Sequence, residues 1–116
     1  MKNNLKLVID NSNNEEKKNY FFEKKELKII LDLYAIMVSR GDWKDYGLSI
    51  SKKQVGFSVF KNTSENAMYK ITKNFKPKTK NERYLIKDSK NKIIKNSENL
   101  KSLIENIIWK KFKLVN

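Results

Sequence analysis

Neither cysteine nor histidine occurs among the 116 residues, and there are only one proline and three glycines. Without cysteine there is no disulfide framework, no thiolate nucleophile and no thiolate metal site. Without histidine the chain lacks the commonest general base and the commonest transition-metal ligand. Ser39, Ser49, Ser51 and Ser58 therefore have no imidazole to activate them. Three glycines also argue against a phosphate-cradling glycine loop. Carboxylate-held Mg²⁺ or Ca²⁺, and catalysis by Asp, Glu, Lys, Ser or Tyr, stay open to such a composition but are unusual in so small a chain. The expectation is a non-enzymatic protein with no cofactor and no metal. Long apolar runs are missing too. The longest, Ile29 to Val38, is broken by Asp32 and is far short of the roughly 20 residues that cross a bilayer. The start Met1-Lys2-Asn3-Asn4 is followed only by the short run Leu5 to Ile9, which is no secretory signal. A cytoplasmic protein with no membrane partner is expected, of a length that suits one domain with a single small core.

What the chain has in excess is positive charge, 26 Lys and Arg against 13 Asp and Glu, for a formal net charge of +13. All the basic residues except Arg40 and Arg83 are lysine, and Lys, Asn and Ile together are what A+T-rich coding drift produces. Drift would scatter the charge, however, and here it is segregated. Residues 1–22 hold four basic and three acidic groups and residues 23–51 hold five of each, whereas residues 52–116 hold 17 basic and five acidic. A field confined to one half of the chain favours an anionic partner, although solubility alone also uses one.

Residues 10–19 are polar throughout and bury nothing; residues 1–19 read as a flexible arm with an apolar tip at Leu5, Leu7 and Ile9, and residues 20–116 as a single domain. From Glu23 to Arg40 the pattern is helical. Leu27, Ile30, Leu31, Tyr34 and Val38 form one stripe and Ile29, Leu33 and Ile36 a second. Glu23 and Glu26 stand in the first turn, Arg40 in the last, and Gly41 supplies a left-handed terminator. Alternation then predicts strands through Tyr46–Ile50, Val55–Val59 and Ala67–Ile71. A basic loop from Lys73 to Asn81 follows, then a hairpin of Arg83–Lys87 and Lys92–Lys95 across Asp88-Ser89-Lys90-Asn91. Asn96 or Ser97 would cap a second helix with Leu100, Leu103, Ile104, Ile107 and Ile108 on one face. The expected fold is α+β: a helix, an antiparallel meander of about five short strands and a C-terminal helix, with the helices on one face of the sheet.

Certain segments carry a family pattern. They are Phe22-x-x-x-Glu26-Leu27-x-x-Ile30-Leu31-x-Leu33-Tyr34, Met37-Val38-x-x-Gly41-x-Trp43-x-Asp45-Tyr46, Phe57-Ser58-Val59-Phe60-Lys61, Ser64-Glu65 and Met68-Tyr69-Lys70-Ile71. Across residues 22–71 they resemble the domain of unknown function 2794 family, small proteins of alphaproteobacteria. The segment from Tyr34 to Tyr46 is the most specific part. The family often has a basic residue where this chain has Ile36, and Arg where it has Lys44. The resemblance implies a cytosolic bacterial protein and no particular chemistry.

Three constellations remain as candidates. Lys73, Lys76, Lys78 and Lys80 alternate with Phe75, Pro77 and Thr79, and Lys110, Lys111 and Lys113 cluster with Trp109 and Phe112. Cations on flexible stems beside aromatics suit a polyanion such as nucleic acid, while lysine alone reads no bases, so binding would be non-specific. The second stripe of the first helix, Ile29, Leu33 and Ile36, makes its apolar arc wider than one sheet face needs. Either the C-terminal helix packs on that flank, or a protein partner or a second copy does, in which case these residues are exposed in the monomer. Trp43 is either an anchor for such a partner or folds back under the sheet edge, the commoner place for a Trp just past a helix. Asp42 and Asp45, three apart in a turn, lack a third ligand nearby and suit turn capping and pairing with a lysine better than a cation.

Overall fold

The computed structural model describes residues 20–62 and 66–106. The expected arm over residues 1–19 and the lysines and isoleucines beyond residue 106 lie outside them. Helix α1 (Lys24–Ser39) leads into strands β1 (Asp45–Ile50), β2 (Gln54–Phe60) and β3 (Tyr69–Asn74). A 3₁₀ turn at Lys80–Glu82 follows, then β4 (Tyr84–Asp88), β5 (Ile93–Ser97) and helix α2 (Leu100–Asn106). The strands form one antiparallel sheet in chain order, β1-β2-β3-β4-β5, the α+β meander that the alternation predicts.

Helix α1 begins where the Glu26 carboxylate turns back to accept the Glu23 N–H at 2.7 Å, as the third-position acid of a capping box does. It ends in a Schellman motif. Gly41 sits at φ +81°, its N–H donates to Val38 O at 2.9 Å, and the Asp42 N–H donates to Met37 O at 2.9 Å. The reversal delivers Trp43 beneath the helix. Its side chain is only 2% exposed, so Trp43 is a core residue and offers no anchor to a partner. Tyr34 of α1 packs there against Trp43 (6.4 Å), Tyr46 (5.1 Å) and Phe57 (5.9 Å), and Tyr46 stacks on Phe57 at 4.9 Å. Asp45 makes no ion pair with a lysine among the described residues; its carboxylate accepts the Tyr46 N–H at 2.8 Å.

Register places Val55, Phe57 and Val59 of β2 opposite Lys73, Ile71 and Tyr69 of β3, with Ile71 opposite Ile86 of β4. The apolar members of this face are buried with Ile30 and Met37 of α1 and Leu100, Leu103 and Ile104 of α2, which puts both helices on one face. Strand β3 runs on into the expected basic loop, through Lys73 to Asn74, so Lys73 belongs to the sheet. Strand β5 likewise continues through Asn96 and Ser97, and the cap of α2 is Asn99, whose Oδ1 accepts the Ser102 N–H at 2.9 Å.

A methyl group at Gly41 would meet nothing within 4 Å, so its only penalty is the left-handed backbone. Gly41→Ala should lower unfolding free energy by about 1–2 kcal/mol, and Gly41→Asn by less, measured by urea denaturation.

Candidate polyanion-binding cleft

The segment between β3 and β4 is held shut at its neck. The Asn74 N–H donates to Arg83 O at 2.7 Å and Asn74 Nδ2 to Glu82 O at 2.6 Å. Arg83 Nη1 is shared between the carbonyl oxygens of Asn74 and Phe75, each at 3.2 Å. The Phe75 N–H reaches Lys53 O at 3.0 Å, which ties the neck to the β1–β2 turn. The ring of Tyr20, just ahead of α1, lies 5.6 Å from that of Phe75, inclined at 56°. The loop is thereby a braced protrusion.

This protrusion and the start of α2 enclose an open cleft of about 590 Å³. It is lined by Phe75, Lys76, Pro77, Lys78, Thr79, Lys80 and Arg83, together with Glu98 and Asn99. Lys76, Lys78 and Lys80 are exposed and Arg83 is half-buried. None of the four forms an ion pair with a carboxylate among the described residues. The alternation in Lys76-Pro77-Lys78-Thr79-Lys80 announced the lysines. Arg83 was hidden by its position as the expected first residue of a strand, and Glu98 and Asn99 were hidden by distance along the chain.

Lys73 departs from the expectation. It is 8% exposed, and its Nζ donates to Glu26 Oε1 at 2.8 Å. Tyr84, its cross-strand partner, donates its hydroxyl to Glu26 Oε2. A buried ammonium needs a paired, hydrogen-bonded anion, and Lys73 has one, so its amine is committed inside the protein. Burial pushes the Glu26 carboxyl up, but hydrogen bonds from Lys73, Tyr84 and the Glu23 N–H, together with the Lys73 charge, leave it below its ordinary 4.5. The Tyr84 hydroxyl is raised strongly, by burial first and then by its bond to the carboxylate.

The helix face expected to meet a partner is divided. Ile29 and Leu33 are half-buried against the core, while Ile36 is 49% exposed. Leu31 and Val38, on the stripe expected to be internal, are exposed as well. Lys110, Lys111 and Lys113 lie outside the described residues.

These features define a small two-layer α+β domain that carries a braced basic loop. Residues 20–104 match the family described as protein of unknown function (DUF2794), and the chain belongs to that family. No curated protein and no solved structure matches it.

Removing one partner of a buried pair strands the other charge. Lys73→Met should therefore destabilise the fold by about 3–5 kcal/mol, whereas Lys28→Met, from the exposed Lys28–Asp32 pair, should cost less than about 1 kcal/mol. Because the folded-state pKa of Glu26 is depressed, its contribution is complete above about 4.5 and disappears as pH falls through the lower folded value. Glu26→Gln should accordingly reduce the slope of stability against pH on the acid side, as followed by denaturation at a series of pH values.

Proposed function

We propose that this protein is a cytoplasmic, non-enzymatic module that binds a polyanion, nucleic acid first among them, without sequence specificity. The observation that carries the reading is the gathering of Lys76, Lys78, Lys80 and Arg83 around one cleft with no carboxylate paired to any of them among the described residues. Cations in such a place attract phosphates over the Debye length and hold them by releasing counterions. Lysines on flexible stems follow a backbone without reading bases. The segregation of basic residues into the second half of the chain supports the same reading.

A second reading rests on Ile36, Leu31 and Val38, large apolar side chains exposed on α1. A second copy or a protein partner on that helix would cover them. Sedimentation across a range of protein concentrations tests self-association, and Ile36→Lys should abolish any dimer that forms there.

For the polyanion reading, affinity for labelled oligonucleotides should fall with salt along a log–log slope of about −3 to −4, as neutralising four phosphates requires. The combined change Lys76→Glu, Lys78→Glu and Lys80→Glu should remove most of that slope. Lys90→Glu, on the β4–β5 turn, should shift affinity by no more than about two-fold, since it is distant from the neutralised phosphates. Absence of binding at low salt would refute the reading.

A further inference from the structure

We propose that the cleft accepts a single-stranded nucleic acid, with one unstacked base laid against Phe75 and the adjoining phosphates held by Arg83 and the loop lysines. This rests on the polyanion reading above and names the strand form that the site takes.

Three observations carry it. The first is the way the cations are arranged around the space. Lys76, Lys78, Lys80 and Arg83 line it together with Glu98 and Asn99. A duplex keeps the pairing edges of its bases engaged with each other, so it offers Glu98 little but phosphates, which a carboxylate repels. A single strand leaves those edges free, so its phosphates can meet the cations while a base edge meets the carboxylate or the amide, groups that accept and donate hydrogen bonds.

The second observation is that an aromatic ring lines the same space. Phe75 sits on the cleft wall, backed by the Tyr20 ring and packed in part on the core, so its orientation is fixed before a ligand arrives. Bases of a duplex are stacked on each other and cannot reach a recessed ring, whereas a base of a single strand can. The cleft volume of about 590 Å³ falls within the range of about 300–1,000 Å³ typical of small-ligand sites, room for a splayed base and its sugar.

The third is Arg83. Its Nη1 is committed to two main-chain carbonyls, those of Asn74 and Phe75. Its remaining guanidinium nitrogens make no hydrogen bond among the described residues. A guanidinium anchored at one nitrogen is oriented in advance, and its planar fork matches a phosphate better than a mobile ammonium does. Because one of the anchoring carbonyls belongs to Phe75 itself, the phosphate-binding group and the base-stacking ring are coupled through a single residue.

The test compares three labelled probes of about twelve nucleotides, a length that spans a typical single-strand site, on the unaltered full chain at one low salt concentration. They are an oligothymidine, an abasic strand of the same charge, and a hairpin duplex. Stacking predicts that the oligothymidine binds at least about five-fold more tightly than the abasic strand and more tightly than the duplex. Phe75→Leu should bring the thymidine and abasic affinities together without altering the salt slope, since no charge changes. Arg83→Lys should weaken all three probes. Equal, salt-dependent binding of the three probes by the unaltered protein would overturn the single-strand assignment and leave the polyanion reading standing. Failure of all three to bind would overturn both. The comparison of probes needs no variant, so a Phe75→Leu protein that folds poorly does not blunt the test.

Discussion

The ion pair between Glu26 and Lys73, buried under the first turn of α1, is the constraint around which the rest is arranged. An isolated charge at that depth would be costly, and a pair recovers the cost only when its geometry and its further hydrogen bonds are good. Here the carboxylate accepts from the Lys73 ammonium, the Tyr84 hydroxyl and the Glu23 N–H. One side chain thus starts the helix, sets its position over the sheet and joins two adjacent strands. An apolar contact of equal area would tolerate a small slide of α1 along β3, whereas three directional bonds to one carboxylate do not. The consequence for the surface is direct. Lys73 and Tyr84 are followed and preceded by Asn74 and Arg83, the two residues that close the neck of the basic loop, so the buried pair and the exposed cleft share one stretch of backbone.

Sorting the lysines by their partners also separates structural charge from available charge. Lys28 pairs with Asp32 on the outside of α1, in the open, where such a pair contributes little. Lys73 pairs inside. The lysines of the loop pair with nothing among the described residues. Most lysines of the described residues are unpaired, so what distinguishes those of the loop is that three of them gather with Arg83 around one cleft. The half-buried Arg83 adds a cation of different chemistry to them, with a fixed plane where the lysines have only a point of charge.

Much of the architecture was legible because its signals are local. The 3.6-residue spacing from Leu27 to Val38 marks α1, Gly41 marks its end, and strict alternation marks β1 and β2. What could not be read depends on tertiary partners. Lys73 stands at the head of a run of alternating lysines and carries no mark of burial; only the arrival of Glu26, 47 residues away in sequence, makes it internal. Asn96, Ser97 and Asn99 are all good helix caps, and the choice among them was made by how far β5 pairs with β4, where a register irregularity at Ile86 and Lys87 shifts the count. Trp43 followed the commoner behaviour of a Trp just past a helix. The cleft itself was half visible: its lysines alternate in plain view, while Glu98 and Asn99, which also line it, come some twenty positions later.

The topology also shapes how the chain finds this structure. Every strand in the meander pairs with its neighbour in sequence, and the turns at Ser51–Lys53 and Ser89–Lys92 are short. Closing short loops costs little entropy, and a low mean separation of contacts goes with rapid folding. The sheet can therefore grow hairpin by hairpin, without waiting for either helix. Docking α1 is the step that spans the long separation, and it must bring a charged carboxylate to a charged amine. Until it does, Lys73 remains in water with the other lysines. Seating the helix therefore changes the outward charge of the chain as well as its shape, because its acid withdraws one lysine from the surface.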